Sequence, residues 1–509
     1  MIVPCPVHQL IPAAMDAGLG SAVCIVLALT LLYIWCILKG RNTECDAKPF
    51  PPGPPGLPII GNLHQLNLKK LHVSLLEFAN KYGPVYSIQM GPSKIVVITG
   101  YEAVKDALVN HAEEFGERGK IRILQDMDKD LGITHSQGEN GKVMRRFALT
   151  ALRDLGMGRR SIEERIIEEC EHLIKNFASF KGKPFNNMLI IYAGVANIIV
   201  SILLGHRMDY DDPQFKRLLN LIYEIFRLAG SKMVRLYNIF PIFGFLPGGH
   251  KTFIKHGEEF LEFVNKTFVK YQKNLDENDR RSFIDSYLLR QKDEAGKPRS
   301  YFHNENLTIV VKNLFSAGTE TTATTLRWGL LLMMKYPDIQ EKVQDEISRV
   351  IGSAQPMYSH RLQMPYTNAV IHEIQRFADI VPLNGAHETT KDVMFRGYFI
   401  PKETYIIPLL SSVLRDKTQF ERSEQFYPNH FLDSEGNFIN KDAFMPFSAG
   451  RRACVGETLA RMELFIFFTS LLQQFTFHLP PDVSDLDLTP GTGFTNVPQQ
   501  YNMCATLRI

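Results

Sequence analysis

Between Phe444 and Phe465 the chain reads FMPFSAGRRACVGETLARMELF, one thiol among small residues and paired arginines, running straight into an apolar helical pattern. Cys454 stands just ahead of that helix, where free N–H groups and the positive end of the helix dipole favour a thiolate. Gly450 and Gly456 let backbone close in on both sides, and Phe447 can pack against a flat face. With no second soft ligand nearby, a tetrahedral zinc site is excluded. What remains is a single axial ligand for a haem, a nucleophile, or an inert half-buried cysteine.

Two further groups could do chemistry. Ala317-Gly318-Thr319-Glu320-Thr321-Thr322 puts polar side chains inside a long apolar run, where each must find a partner. Their hydroxyls can bond back to the preceding turn; an acid beside a hydroxyl can also move protons into a dry pocket. Glu373 and Arg376, in EIQR, lie three apart on one helical face and can pair. Alone, that spacing is commonplace.

FSAGRRACVG resembles the cytochrome P-450 haem signature F-x-x-G-x-R-x-C-x-G at Phe447, Gly450, Arg452, Cys454 and Gly456. Other motifs follow in that family's order along the whole chain, closest to the vertebrate microsomal family-2 type. The resemblance implies a mainly α fold with a small β portion, with haem b bound through the Cys454 thiolate. It implies a monooxygenase that puts one atom of O2 into small lipophilic substrates such as xenobiotics, fatty acids or steroids. Ala317 and Gly318 would then lie beside the haem. Thr321 would open a groove and hydrogen-bond the oxygen being activated, and Glu320 would relay protons. Glu373, Arg376 and His430 (in FYPNHFL) would form a buried network shaping the cysteine loop. Positional match nominates Arg118, Arg145, His387 and Arg452 as partners of the haem propionates. For the substrate pocket it nominates the loop Arg122 to Ile133, Phe315, Ala317, Val381 and Leu383 in the stretch to Gly385, and Phe494.

One position departs from the family. W-x-x-x-R is expected on the helix carrying Arg145, the Trp donating its indole N–H to a propionate, but GENGKVMRR puts Gly141 there. Asn140-Gly141 also reads as a turn, so that helix is expected to start late and haem retention to be weak. The charges Arg122, Asp126, Asp128, Lys129 and Asp130 face either water or a substrate with polar ends.

No glycine fingerprint for nicotinamide or flavin is present, so electrons must come from outside. The resemblance implies NADPH–cytochrome reductase, with cytochrome b5 as a further donor, docking on Lys142, Arg146 and Arg451. Two rivals are a haem-thiolate isomerase or dehydratase needing no reductase, against which Thr321 speaks, and a catalytically silent haem-binding relative.

The elements that must position these groups are largely helical. The 509 residues are 45% hydrophobic with net charge +3, which speaks against nucleic acid as a partner. Seven cysteines with no CxxC pair argue against a disulfide framework. Residues 17–38 are uncharged and as a helix span about 33 Å, enough for a membrane anchor. Lys39 and Arg41 follow it, which places residues 1–16 across the membrane and the catalytic bulk in the cytoplasm, and the resemblance to the microsomal type implies the endoplasmic reticulum membrane, with residues 1–16 in its lumen. The sequons at Asn265 and Asn306 would then stay unmodified. Residues 39–61 form a basic, Pro-rich hinge or strut, and 62–509 the haem domain. Val85 to Thr99 predicts a β-hairpin, Asn304 to Tyr336 a long interior helix, Pro365 to Phe377 another helix, and Val393 to Ile400 strands. NIFPIFGFLPGG, Asn238 to Gly249, predicts an apolar loop, either core or membrane-facing.

Overall fold

The computed structural model describes residues 27, 28, 30, 49–273 and 280–508. All but three positions of the expected anchor lie outside the described residues, and no helix among the described residues is long and apolar enough to cross a membrane. The fold is mainly helical with a small β portion, as the sequence predicts.

In chain order the first part holds α1 (Leu71–Tyr82), β1 (Val85–Met90), β2 (Ser93–Ile98), α2 (Tyr101–Lys105), β3 (Glu117–Arg118) and α3 (Arg122–Asp128). Six longer or connecting helices follow: α4 (Gly138–Asp154), α5 (Arg160–Ser179), α6 (Met188–Leu204), α7 (Pro213–Ala229), α8 (Lys232–Ile239) and α9 (Gly249–Lys273). Then come α10 (Phe283–Asp293), α11 (Asn304–Lys335), α12 (Pro337–Val350) and α13 (Pro365–Ala378). The chain closes with β4 (His387–Glu388), β5 (Val393–Phe395), β6 (Tyr398–Ile400), β7 (Tyr405–Pro408), α14 (Leu410–Leu414), α15 (Glu457–Gln474), β8 (Phe475–His478) and β9 (Cys504–Leu507). One mixed sheet runs β1-β2-β7-β4-β3; β5-β6 and β8-β9 are separate antiparallel pairs. In the first hairpin Val85 faces Ile98 and Met90 faces Ser93 across the Gly91-Pro92 turn.

The 32 residues of α11 run about 48 Å through the interior. It is apolar around most of its circumference and packs along α6, whose residues 191–203 are all buried. Pro337 ends α11 by removing a donor, and sits as the first residue of α12, where that donor is not needed. The Asp212 carboxylate caps α7 by accepting from Gln214 N at 2.7 Å and Phe215 N at 3.3 Å.

Residues 49–62 do not hang free. Ser87 donates its N–H to the Pro52 carbonyl at 2.7 Å and its hydroxyl to Pro51 at 2.8 Å, while Asn62 Nδ2 donates to Pro54 and Pro55 at 3.2 Å. Prolines can only accept, so β1 and Asn62 supply the donors. A Cβ at Gly53 would lie 1.9 Å from the Ser87 carbonyl oxygen, which only glycine escapes.

Glu373 and Arg376 on α13 are fully buried and bidentate, at 2.7 Å for both contacts. Arg376 also donates to the carbonyls of Leu414, Ser423 and Gln425 at 2.7–2.9 Å. His430 Nδ1–H donates to Glu373 at 3.1 Å, a tautomer fixed because Nε2 accepts from Arg422 N. Tyr427 N adds a bond to the same carboxylate at 2.8 Å. Four backbone groups between residues 414 and 427 thus hang on one ion pair. Arg376→Met leaves the Glu373 charge buried and unpaired, and is expected to cost about 3–5 kcal/mol. Thermal unfolding of the full chain checks this, the Glu373→Gln, Arg376→Met double variant recovering part of the loss.

Candidate active site

A cavity of about 300 Å³ lies between α11, the cysteine loop, residues 133–135 and residues 380–385. The wall from α11 is the one bare stripe of an otherwise buried helix. Ala317 is exposed there and Gly318 and Thr321 half-exposed, with Thr322 and Thr325 alongside. The Thr321 hydroxyl donates to the Ala317 carbonyl at 2.8 Å, so the residue is in the helix yet edges the cavity. Gly318 also lets α6 approach, since a Cβ there would lie 2.7 Å from Ile199 Cδ1.

Cys454 faces Thr321's stripe across this cavity, and its exposed surface belongs to the cavity. Its N–H donates to the Phe447 carbonyl at 3.0 Å, closing the loop. Gly450 holds φ at +71°, and a Cβ there would fall 1.8 Å from the Leu108 carbonyl oxygen, so the turn requires glycine. The Arg461 guanidinium covers the Phe447 ring at 5.0 Å. Burial raises the Cys454 thiol pKa, while the Gly456 and Glu457 N–H groups and the Arg145 charge pull it down. The helix terminus alone, contrary to the sequence reading, does not win; a thiolate here needs a cation such as a metal ion.

One end of the cavity is crowded with cations. Burial, then Arg452 and Arg145, push the Arg118 guanidinium down to about 9. Arg118 donates to the carbonyls of Thr134 and Gly385 at 3.1 Å and of Arg452 at 3.3 Å. Arg452 bonds Gly116 O at 3.1 Å, Ser136 O at 2.9 Å and the Glu117 carboxylate at 3.3 Å, leaving Nη1 buried without a partner. An orphaned guanidinium N–H beside crowded arginines fits an anionic group such as a haem carboxylate. Arg118 and Arg452 line the cavity; Arg145 and His387 do not. Arg145 donates to the Ala453 carbonyl, and His387 stands behind Arg118, its Nδ1–H on Phe115 O at 2.7 Å and its Nε2 accepting from Arg118 at 3.2 Å.

The structure corrects several expectations. Glu320 is buried on the far side of α11, accepting from Tyr192 at 2.6 Å and Thr495 at 2.8 Å, and does not line the cavity. Phe315 packs on Phe260 at 5.9 Å beneath α6 and α9, and Leu383 joins the packing on the β1–β2–β7 sheet, so neither lines the cavity. Val381, Phe494 and Ala317 do. Of the Arg122–Ile133 loop only Ile133 contributes to the lining. Four of the loop's five charges are paired, Arg122 with Asp126 at 2.9 Å, Lys129 with Glu305 at 2.8 Å, and buried Asp128 with Lys312, and Asp130 is exposed. Helix α4 starts at Gly138, before Gly141 rather than after it. Its first turn is held from outside, because Asn306 donates to the Asn140 side chain at 2.8 Å and Asn140 donates to Asp130 O at 3.2 Å. Asn306 itself is fully buried and closed to glycosylation.

The sequence reading missed Glu463 and His135, both in the cavity wall. A lone carboxylate inside ARMELFIFF was the available signal for Glu463; nothing in the sequence flagged His135.

Residues 51–505 match the family model described as Cytochrome P450. The chain is 50% identical to Cytochrome P450 2K6 of Danio rerio over 456 residues, 89% of this chain and 90% of that one. It is 47% identical to Cytochrome P450 2K1 of Oncorhynchus mykiss over 485 residues, 94% and 96% of the two chains. It is 45% identical to Cytochrome P450 2C23 of Rattus norvegicus over 486 residues, 95% and 97%.

Glu463 generates a pH prediction. Burial pushes its carboxyl from 4.5 up to about 8, the Thr322 hydroxyl pulling the other way, and Oε1 has no partner. The folded chain then keeps a proton that the unfolded chain has lost, so stability falls as pH rises from 4.5 to about 8 and levels off above. Glu463→Gln is expected to flatten that slope and to be the more stable protein at pH 8. Unfolding temperatures of both proteins across this range check it.

Proposed function

The chain belongs to the cytochrome P450 family and is a haem-thiolate monooxygenase, and from that premise we propose that Cys454 is the axial ligand and Arg118 and Arg452 hold the haem propionates. Arg145 and His387 act from behind, Arg145 on the backbone of the cysteine loop and His387 on the orientation of Arg118. The observation that carries this reading is the single cavity onto which one thiol, two arginines and the Thr321 stripe converge. Bound haem iron supplies O2 activation, its thiolate ligand pushing electron density that favours O–O cleavage.

The protein's own part is to position, dry and protonate. Ile133, Ile199, Leu314, Val381 and Phe494 line the substrate side, which suits a small lipophilic molecule and excludes water. Thr321 presents its hydroxyl at the edge of the cavity and hands protons across it. Glu320 is the reserve acid behind the helix; burial raises its carboxyl pKa while the Tyr192 and Thr495 hydroxyls pull it down, and it delivers by turning away from both. Electrons come from NADPH through a membrane-bound flavoprotein reductase or from cytochrome b5. The basic face that would receive them carries exposed Lys142, Arg146 and Arg451, Lys142 close enough to feel Arg451.

Membrane association has support beyond the expected anchor at 17–38. Ile59, Ile242 and Phe245 are 74%, 76% and 72% exposed, large apolar side chains with no packing to occupy them. The two segments meet: Ile60 O accepts from Gly91 N, and a Cβ at Gly91 would lie 2.6 Å from Ile239. They form one apolar rim that would dip into the cytoplasmic leaflet of the endoplasmic reticulum.

In membranes supplied with reductase and NADPH, the parent is expected to show the red-shifted ferrous–CO Soret band of thiolate ligation and to oxidise members of a panel of fatty acids, steroids and drug-like aromatics. Cys454→Ser is expected to lose both; survival of band and turnover sinks the assignment. Thr321→Ala is expected to keep the band and to lower product formed per NADPH by about 100-fold.

A further inference from the structure

Gly141 is buried in the second turn of α4, and the loop before the helix has closed onto it. A Cβ at 141 would meet the Ser136 carbonyl oxygen at 2.7 Å and its Oγ at 3.1 Å. That loop is fastened almost residue by residue. Gly132 N donates to Asn306 Oδ1 at 2.8 Å, and Ile133 N and Thr134 N donate to Asn313 Oδ1 at 3.0 and 3.2 Å. Arg118 holds the Thr134 carbonyl, Arg452 the Ser136 carbonyl, and the Ser136 hydroxyl turns back to Gly132 O at 2.7 Å. With Ile133 and Thr134, this clamp presents His135 to the cavity, near enough to Arg118 and Arg452 to feel their charges.

The His135 ring makes no hydrogen bond among the described residues. Burial, then Arg118, Lys312 and Arg452, hold its pKa at about 3, so the imidazole is neutral at pH 7. A neutral imidazole still carries one N–H, and among three cations the partner that N–H lacks is an anion. The Trp that the family places at 141 would supply one donor to a propionate; glycine supplies none, yet its missing side chain is what lets the 132–136 loop close.

We propose that His135 donates its ring N–H to a haem propionate, taking over the task of the absent indole, so that Gly141 and His135 are a matched pair. The proposal rests on the reading of this cavity as the haem site. It reverses the expectation that glycine at 141 leaves haem retention weak.

The test is haem transfer from the full-length ferric holoprotein to excess apomyoglobin, with the ferrous–CO band recorded for each protein. His135→Phe, which keeps the bulk and drops the donor, is expected to lose haem about tenfold faster than the parent, and His135→Gln at close to the parent's rate. Reconstituted with haem dimethyl ester, whose propionates carry no charge, parent and His135→Phe are expected to lose cofactor at the same rate. Gly141→Trp must push Ser136 aside and is expected to lose haem faster than the parent. An unchanged rate for His135→Phe, a Phe effect that persists with the dimethyl ester, or slower loss from Gly141→Trp overturns the pairing. If the parent lacks the thiolate band, the haem reading falls with it; a normal band with unchanged rates sinks His135 alone.

Discussion

Like charges do not gather in a buried wall unless something answers them. Burial, and after it the charges of Arg452 and Arg145, depress Arg118, and Glu117, the carboxylate ion-paired with Arg452, is half-buried to the side. Much of their donor capacity goes to carbonyls of the cysteine loop, the 134–136 loop and residue 385. These bonds make the arginines part of the scaffold before any cofactor arrives. The same three charges that demand an anion also tie together the walls that would enclose it. Fold and cofactor affinity are in this sense one electrostatic arrangement.

The arrangement needs a frame that does not yield, and α13 supplies it. Arg376 is among the largest fully buried side chains, and its fork is filled on every side, by a carboxylate and three carbonyls. A charged group so placed would be costly if any one partner moved, so the segments it holds are fixed together. The Phe447 carbonyl and the Leu108–Gly450 contact then finish the positioning of Cys454.

Features set by local pattern were legible in the sequence. The hairpin across Gly91-Pro92 and the long helix from Asn304 follow from turn chemistry and periodicity, whereas the Cys454 loop and the buried Glu373–Arg376 pair were legible only through the family resemblance. What was not legible is direction. Glu320 and Thr321 are neighbours in sequence but face different sides of one helix, because 100° per residue turns Glu320 off the cavity and towards Tyr192. Phe315 points into Phe260 rather than the cavity. The start of α4 was misjudged because the side-chain bonds of Asn306 and Asn140 override the turn preference of Asn-Gly. For the charges of Arg122 to Asp130 the sequence left water and a polar substrate open; Lys129 and Asp128 find their partners on α11, which no local pattern shows.

The end of the cavity away from the arginines obeys a different logic, that of a wall fastened to a surface element. Phe494 lines the cavity, and its N–H donates to the Phe226 carbonyl at 2.9 Å, with the two rings edge to face at 6.0 Å. Behind it Gly230 sits so close to Gly493 that a Cβ would come within 2.5 Å of the Gly493 carbonyl. Phe226 lies in the last turn of α7, and the chain runs from there through α8 into the exposed apolar segment at Ile242 and Phe245. Any displacement of that segment that carries α7 must carry Phe494, because the backbone bond and the glycine contact leave no slack between them. The charged end of the cavity is therefore locked to the core through Arg118 and Arg452, whereas the apolar end is locked to the outermost apolar surface. Cofactor retention and substrate access are thereby assigned to different parts of the fold, and a change at one end need not disturb the other.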